Sequence, residues 1–354
     1  MKRKNNTGTI FYSQSLKLWV AQKTIAGKRK SFYGKTEKEV YQKMIGMDSR
    51  SMKSFKDWCN IWMKTYKIND YKIGTFEKEL RRFNCILDNC SFSDTPLNEI
   101  TTYEVQMYIN ELNNRLKPKT IQNYMILING AFKQAVKENL TTQNPCLNVS
   151  IPRTTAPDMV ALNRFEKDIF LDFVKDNPYY DIFVFALNTG MRISEICGLT
   201  KDCIDFGSQL ITIKHQLVRL KGRYILDSPK TTRSIRKVPI NETTYDILKR
   251  HIMSSKDDFV FHNPNTKGML WQNTLSRNTK NCFLDCYEQT KMEVFKRANF
   301  HSFRHTFATT WVVQGGNLTL LSKVLGHTDT AFTTRVYVQP SYDDVKSEMT
   351  NLVF

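Results

Sequence analysis

Three strings in the C-terminal half carry residue types suited to chemistry on an anion. The first is Asn188-Thr-Gly-Met-Arg192-Ile-Ser-Glu-Ile-Cys-Gly-Leu199. Its Thr-Gly turn places Arg192 at the opening of a helix, with Ile193, Ile196 and Leu199 directed to a core and Glu195 close by in sequence. A helix N-terminus beside a guanidinium is a natural anion site. The second is Phe300-His301-Ser302-Phe303-Arg304-His305-Thr306-Phe307-Ala308. On a helix, His301, Arg304 and His305 share one edge. The third is Leu325-Gly326-His327-Thr328-Asp329, followed ten residues after the histidine by Tyr337. Each string alone has an ordinary reading: a surface arginine in a salt bridge, a zinc pair at His301 and His305, a packing tyrosine. The zinc reading lacks the glutamate of a zincin helix and any evident third ligand.

Taken in order, T-G-M-R-x-S-E, H-x-x-R-H-T-F-A, L-G-H and a tyrosine near the C-terminus resemble the tyrosine recombinase (phage integrase) family closely. The resemblance implies a DNA strand-exchange enzyme with a tyrosine nucleophile and a metal-free, cofactor-free site. Position by position, Arg192 and Arg304 match the two phosphate-clamping arginines. His301 and His327 match the two histidines, and Tyr337 matches the nucleophile. The family's catalytic lysine lies on a β-hairpin between the arginines. Ser228-Pro-Lys230-Thr-Thr-Arg-Ser-Ile-Arg-Lys-Val-Pro239 fits its P-K-T…S-x-R-x-[VI]-P pattern, so Lys230 is the match, ahead of Lys221 and Lys237. Two positions depart from the pattern. Ser302 and Phe303 stand where an acidic residue and leucine are usual, and Gln339 stands where histidine is common. Neither departure falls on the six positions, although Ser302 and Phe303 bear on how His301 is held.

The residue types suit the implied reaction. Two planar guanidiniums can fork onto both non-bridging oxygens of a phosphodiester and stabilise its pentacoordinate transition state. A phenol has an ordinary pKa of about 10. Tyr337 must therefore lose a proton as it attacks, which cationic surroundings favour, with His301 as the candidate base. Lys230 can protonate the departing 5′-oxygen, and His327 can hydrogen-bond the phosphate. A phosphotyrosine bond stores the energy of the broken ester, so a 5′-hydroxyl can reverse the step without ATP. The absence of a G-x-x-x-x-G-K-[ST] loop fits this chemistry.

The elements that must position these groups follow from periodicity. Residues 1–50 read as a three-stranded sheet with a helix on it. Ile10 and Tyr12 alternate with Phe11, Leu16, Leu18 and Val20 alternate with Lys17 and Trp19, and Gly27 marks a turn. Ser31-Phe32-Tyr33 forms the third strand, and Thr36 with Glu39 caps a helix faced by Val40, Met44 and Met47. Lys28, Arg29 and Lys30 sit near the hairpin tip, either as a solvated loop or as a phosphate-contacting ribbon. Residues 51–150 read as four helices, with stripes such as Phe55-Trp58-Trp62-Tyr66 and Phe76-Leu80-Phe83-Leu87. Lys117, Lys119 and Lys133 lie off the apolar faces and are further candidates for DNA contact. Residues 151–157, with two prolines, read as a linker. Residues 158–354 mix helices with β-like stretches at 210–218, 223–226 and 235–240, a mixed α+β catalytic domain. The expected architecture is therefore multidomain and mainly α with small β elements. By resemblance, 1–50 corresponds to an arm-type DNA-binding domain and 51–150 to the core-binding domain. The tail from Tyr342 would dock on a neighbouring subunit or on its own domain.

Composition narrows the partners. The net charge is +18, and residues 1–50 hold 12 Lys/Arg against three acidic residues, half of that excess. Such a balance favours a polyanion, through field and counterion release. Fourteen glycines and ten prolines in 354 residues exclude collagen-like and low-complexity classes, and 22 Phe with 15 Tyr exclude wholesale disorder. No apolar run approaches the roughly 20 residues of a membrane span, and no secretory signal follows the basic start. The eight cysteines contain no C-x-x-C and read as free thiols in a reducing cytoplasm. The implied partners are double-stranded DNA attachment sites, further copies of the chain in a tetramer, an excisionase and a host DNA-bending protein. A non-catalytic DNA-binding regulator and a monomeric type IB-like topoisomerase are the alternatives on the same fold.

Overall fold

The computed structural model describes residues 8–25, 28–41, 43–44, 54–71, 73–154, 159–220, 222–227 and 235–326. The chain divides into two compact units, Met1–Ala156 and Pro157–Phe354.

In the first unit, β1 (Thr9–Ser13), β2 (Leu18–Ile25) and β3 (Lys28–Gly34) form an antiparallel sheet in that order. Ile10, Ala21 and Phe32 are in register across it and so share a face. Val40 and Met44 of helix α1 (37–41 and 43–44) pack on that face. The Thr36 hydroxyl accepts from the Glu39 N–H at 3.2 Å, as its sequence pattern predicts. Lys28, Arg29 and Lys30 are not a loop. β2 continues to Ile25, so pairing extends to Lys28, and the three basic residues occupy β3 opposite Ile25, Thr24 and Lys23. Arg29 donates across the sheet to Gln22 Oε1 at 2.7 Å.

Four further helices follow: α2 (Phe55–Trp62), α3 (Ile73–Asp88), α4 (Thr102–Asn113) and α5 (Pro118–Lys137). A π-helical turn, Met63–Lys67, extends α2. The aromatic stripes are core. Phe55 stacks on Phe132 with centroids 5.0 Å apart, and the buried Trp58 indole donates to the Ala131 carbonyl at 2.9 Å. Each such buried aromatic contributes roughly 1.5–3 kcal/mol. Thr101 and Glu104 form a capping box at α4, and Pro118 opens α5 without losing a needed N–H. Lys117, Lys119 and Lys133 are exposed along α5.

The second unit begins with α6 (Arg164–Phe173), α7 (Tyr180–Thr189) and α8 (Ile193–Cys197). Strands β4 (Ile204–Asp205), β5 (Leu210–Ile213), β6 (Gln216–Leu220), β7 (Arg223–Asp227) and β8 (Arg236–Pro239) come next. β4, β5 and β8 make one antiparallel sheet, and β6 with β7 makes a separate hairpin. The helices α9 (Glu242–Ser254), α10 (Gln272–Thr290), α11 (Glu293–Arg297), α12 (Phe300–Val313) and α13 (Leu318–Leu325) complete the described part. The apolar run at 182–187 is buried helix. Phe170 lies at the centre of an aromatic core, 4.2 Å from Phe283 and 5.7 Å from Phe303 by ring centroid. Phe303 also packs on Phe183 at 5.6 Å, which fixes α12 against α7. Seven cysteines are buried and Cys85 is exposed, all as free thiols. Among the described residues no helix is long and apolar enough to cross a membrane.

Candidate active site

The site forms where α7 ends and α8 begins. α7 stops because Gly190 takes a left-handed conformation, φ +60°, which lets its N–H close on the Ala186 carbonyl at 3.0 Å. A Cβ on Gly190 would lie 2.6 Å from Phe307 Cδ1, so only glycine fits there. Met191 is buried, and Arg192 becomes the N-cap of α8. The Glu195 carboxylate reaches back and accepts the Arg192 backbone N–H at Oε2, 2.8 Å, and the Arg192 Nη1 at Oε1, 2.8 Å. The Arg192 side chain is 37% exposed and so faces the surface of the unit.

Glu195 is itself buried and holds a second guanidinium. Arg236 of β8 donates Nη1 to Oε1 at 2.8 Å and Nη2 to Oε2 at 2.7 Å, and its Nε donates to the Val324 carbonyl at 2.6 Å. Burial raises the Glu195 pKa, but the Arg236 hydrogen bonds and the Arg236 and Arg192 charges outweigh that and hold it at about 2.

Arg304 enters from α12, which Asn299 caps by accepting the His301 N–H at 2.9 Å. Its guanidinium is 2% exposed as a residue and donates to two carbonyls, Gly190 at 2.8 Å and Leu325 at 2.6 Å. Both carbonyls terminate helices, where a cation meets the negative end of the macrodipole. Arg304 thus ties the ends of α7 and α13 together. His301 keeps an exposed position, yet desolvation of its ring, then the Arg304 and Arg192 charges, lower its pKa below the usual histidine value. His305 packs edge-on against His301 with centroids 4.6 Å apart. Burial, then His301 and Arg304, push its pKa down to about 4. Both imidazoles are therefore neutral near pH 7, and one can accept a proton.

Of the six sequence-predicted groups, the structure brings Arg192, His301 and Arg304 together. Lys230, His327 and Tyr337 lie outside the described residues. Lys237, the weaker lysine candidate, is exposed on β8 next to the buried Arg236 and so points to the opposite face. Ser302 and Phe303 explain themselves: the Ser302 hydroxyl accepts the Asn299 N–H at 3.1 Å and completes the α12 cap, while Phe303 fills the aromatic core. Both therefore stabilise the helix that carries His301. Two participants escaped the sequence reading. Glu195 was visible only as a neighbour of Arg192, three residues on as in a capping box. Arg236 was visible only as one letter of the S-x-R-x-[VI]-P string. Among the described residues no group of three or more His, Cys, Asp and Glu could hold a metal ion.

Among the described residues the site holds three guanidiniums, one carboxylate and two neutral imidazoles, a balance that suits an anion. The comparisons with known proteins agree with that class. The phage integrase family model matches residues 154–344, and the N-terminal SAM-like domain of phage integrases matches residues 54–113. The chain belongs to the phage integrase family. It is 28% identical over 249 residues to the transposase of transposon Tn916 from Enterococcus faecalis; that match spans 66% of this chain and 62% of the relative's length. It is 26% identical to a XerC-like tyrosine recombinase of Caldanaerobacter subterraneus, over 87% of each chain. In fold it is similar to the Tn1549 transposon integrase solved with a circular intermediate DNA, with a TM-score of 0.75 and 24% identity over 84% of this chain and 99% of that one.

Proposed function

We propose that the chain is a site-specific DNA recombinase, an integrase that cleaves and rejoins DNA strands through a covalent 3′-phosphotyrosine intermediate and so integrates and excises a mobile element. The observation that carries this reading is the excess of cation at the junction of α7 and α8. Arg192 and Arg236 both bond the Glu195 carboxylate, and Arg304 bonds the Gly190 carbonyl at the same junction, beside an imidazole held neutral. A phosphodiester fits that balance. In the reaction, Arg192 and Arg304 hold the non-bridging oxygens and His301 takes the Tyr337 proton. The Tyr337 oxygen bonds to phosphorus as the 5′-oxygen leaves with a proton from Lys230. His327 hydrogen-bonds the phosphate, and a 5′-hydroxyl from another strand reverses the sequence.

Residues 1–50 serve as an arm-type DNA-binding domain and 51–150 as the core-binding domain. Residues 151–157 link them to the catalytic domain at 158–354. Lys28, Arg29, Lys30, Lys117, Lys119 and Lys133 contact DNA phosphates. The structural relatives support duplex DNA as partner, since the Tn1549 integrase is solved on a circular intermediate DNA. They also support assembly, since the lambda integrase is solved as a tetramer on a Holliday junction. An excisionase and a host DNA-bending protein would assist this tetramer in the cytoplasm. The test is strand exchange between two labelled attachment-site duplexes in EDTA. Recombinant product supports the reading. Relaxation of supercoils without exchange would favour the topoisomerase. Full biological function of Tyr337→Phe would favour the non-catalytic regulator.

A further inference from the structure

Arg236 stands on neither helix that carries a candidate phosphate-binding arginine, yet its three donor nitrogens end on both sides of the site. We propose that Arg236 is a positioning residue that sets two candidate catalytic groups at once: Arg192 through the Glu195 carboxylate, and the turn leading into His327 through the Val324 carbonyl. The inference rests on the integrase reading of the site.

The geometry of Glu195 is that of a hub. Each carboxylate oxygen accepts one bond from Arg236 and one from Arg192. Oε1 takes both Nη1 atoms, and Oε2 takes the Arg236 Nη2 and the Arg192 backbone N–H. The planar fork of Arg236 fixes the plane of the carboxylate. The carboxylate then fixes both the backbone and the guanidinium of Arg192. A single-point cation could supply the charge but not that plane.

The third nitrogen reaches the other side. Arg236 Nε holds the Val324 carbonyl, while Arg304 Nη2 holds the next one, Leu325. Two arginines from two elements thus grip consecutive carbonyls at the end of α13. The chain then turns through Gly326 at φ +67°, where a Cβ would lie 2.8 Å from Arg236 Cδ. The turn at Gly326 is moulded on the arginine stem. Buried ion pairs are weak contributors to stability compared with apolar packing of the same volume. What Arg236 contributes is placement.

The test uses the full chain and a nicked attachment-site duplex, read as single-turnover cleavage. Arg236→Met is expected to cleave about 10²-fold more slowly, the size of effect that about an ångström of misplacement produces, with DNA affinity unchanged. Arg236→Lys, which keeps the charge and loses the planar fork, is expected to leave the rate at least tenfold low. That result separates the fork from the charge. Glu195→Gln combined with Arg236→Met is expected to lose no more than Glu195→Gln alone, because the two act in series. Cleavage by Arg236→Met within threefold of the unsubstituted chain, or additive losses in the double variant, would overturn the proposal. Should Arg236→Met fail to fold, Arg236→Lys and the double variant, which strands no buried charge, decide by the same criteria. Hydrogen exchange gives a readout independent of cleavage. Faster exchange at residues 193–195 and 324–326 in Arg236→Lys supports the proposal, and unchanged exchange overturns it. Absence of cleavage by the unsubstituted chain would instead count against the integrase reading alone.

Discussion

Gly190→Ala probes the joint on which the site is built. The left-handed backbone at φ +60° costs an alanine about 1–2 kcal/mol. The new methyl would also lie 2.6 Å from Phe307 Cδ1 and 3.0 Å from Leu325 Cδ2. Phe307 and Leu325 belong to the small cluster between α12 and α13, so they have little room to yield. Overpacking of that kind costs about 1–3 kcal/mol. The sum is a destabilisation of about 2–5 kcal/mol. Gly315→Ala is the control. Its φ is +73°, but nothing lies within 4 Å of the added Cβ, so it should lose only the backbone part, about 1–2 kcal/mol. Urea denaturation followed by circular dichroism measures both, with the shift in midpoint at constant slope giving the difference. Because the Gly190 carbonyl accepts from Arg304, Gly190→Ala should also slow DNA cleavage about 10²-fold, and Gly315→Ala should not. Equal destabilisation by the two substitutions would refute the claim that the α7–α8 junction is walled by α12 and α13.

Other perturbations have defined outcomes. Arg304→Ala should reduce single-turnover cleavage by about 10²–10³-fold, the cost of one transition-state donor, with gel-shift affinity for the duplex retained. Glu195 has a folded pKa of about 2 against an ordinary 4.5, so its stabilisation is full above pH 4.5 and disappears as pH falls towards 2. The loss is on the order of 3 kcal/mol, and the urea midpoint of Glu195→Gln should fall less steeply over that window. Arg29→Ala and Lys117→Ala should each lower the slope of log affinity against log salt by about 0.9, independent of DNA sequence.

Much of the architecture was legible because its signals are local. The alternation around Val20 gave the strands of the N-terminal sheet, and the Phe55-Trp58-Trp62 stripe gave α2. Thr36 with Glu39 marked a helix start, and the Thr36 hydroxyl does accept the Glu39 N–H. Lys28-Arg29-Lys30 reads from sequence as either loop or ribbon, and the structure makes it strand because pairing depends on the length of the partner β2. Arg192, His301 and Arg304 were legible from spacing on two helices. Arg236 was not, because its importance lies in a contact with Glu195, 41 positions away, that no local pattern encodes. Nor could sequence say that Arg304 would bind helix-terminal carbonyls, since that follows from how α7, α12 and α13 meet.

The central claim is that a tyrosine oxygen of this chain becomes ester-linked to a DNA 3′ phosphate. The direct measurement is mass analysis of the tryptic peptide left on a nicked attachment-site duplex incubated in EDTA. Cleavage after Arg335 and Lys346 yields a peptide holding both Tyr337 and Tyr342, so the fragment must be sequenced. The account predicts a 3′-nucleotide on Tyr337 and none in Tyr337→Phe. A link to Tyr342, a link to a 5′ phosphate, or an adduct that survives Tyr337→Phe would contradict it.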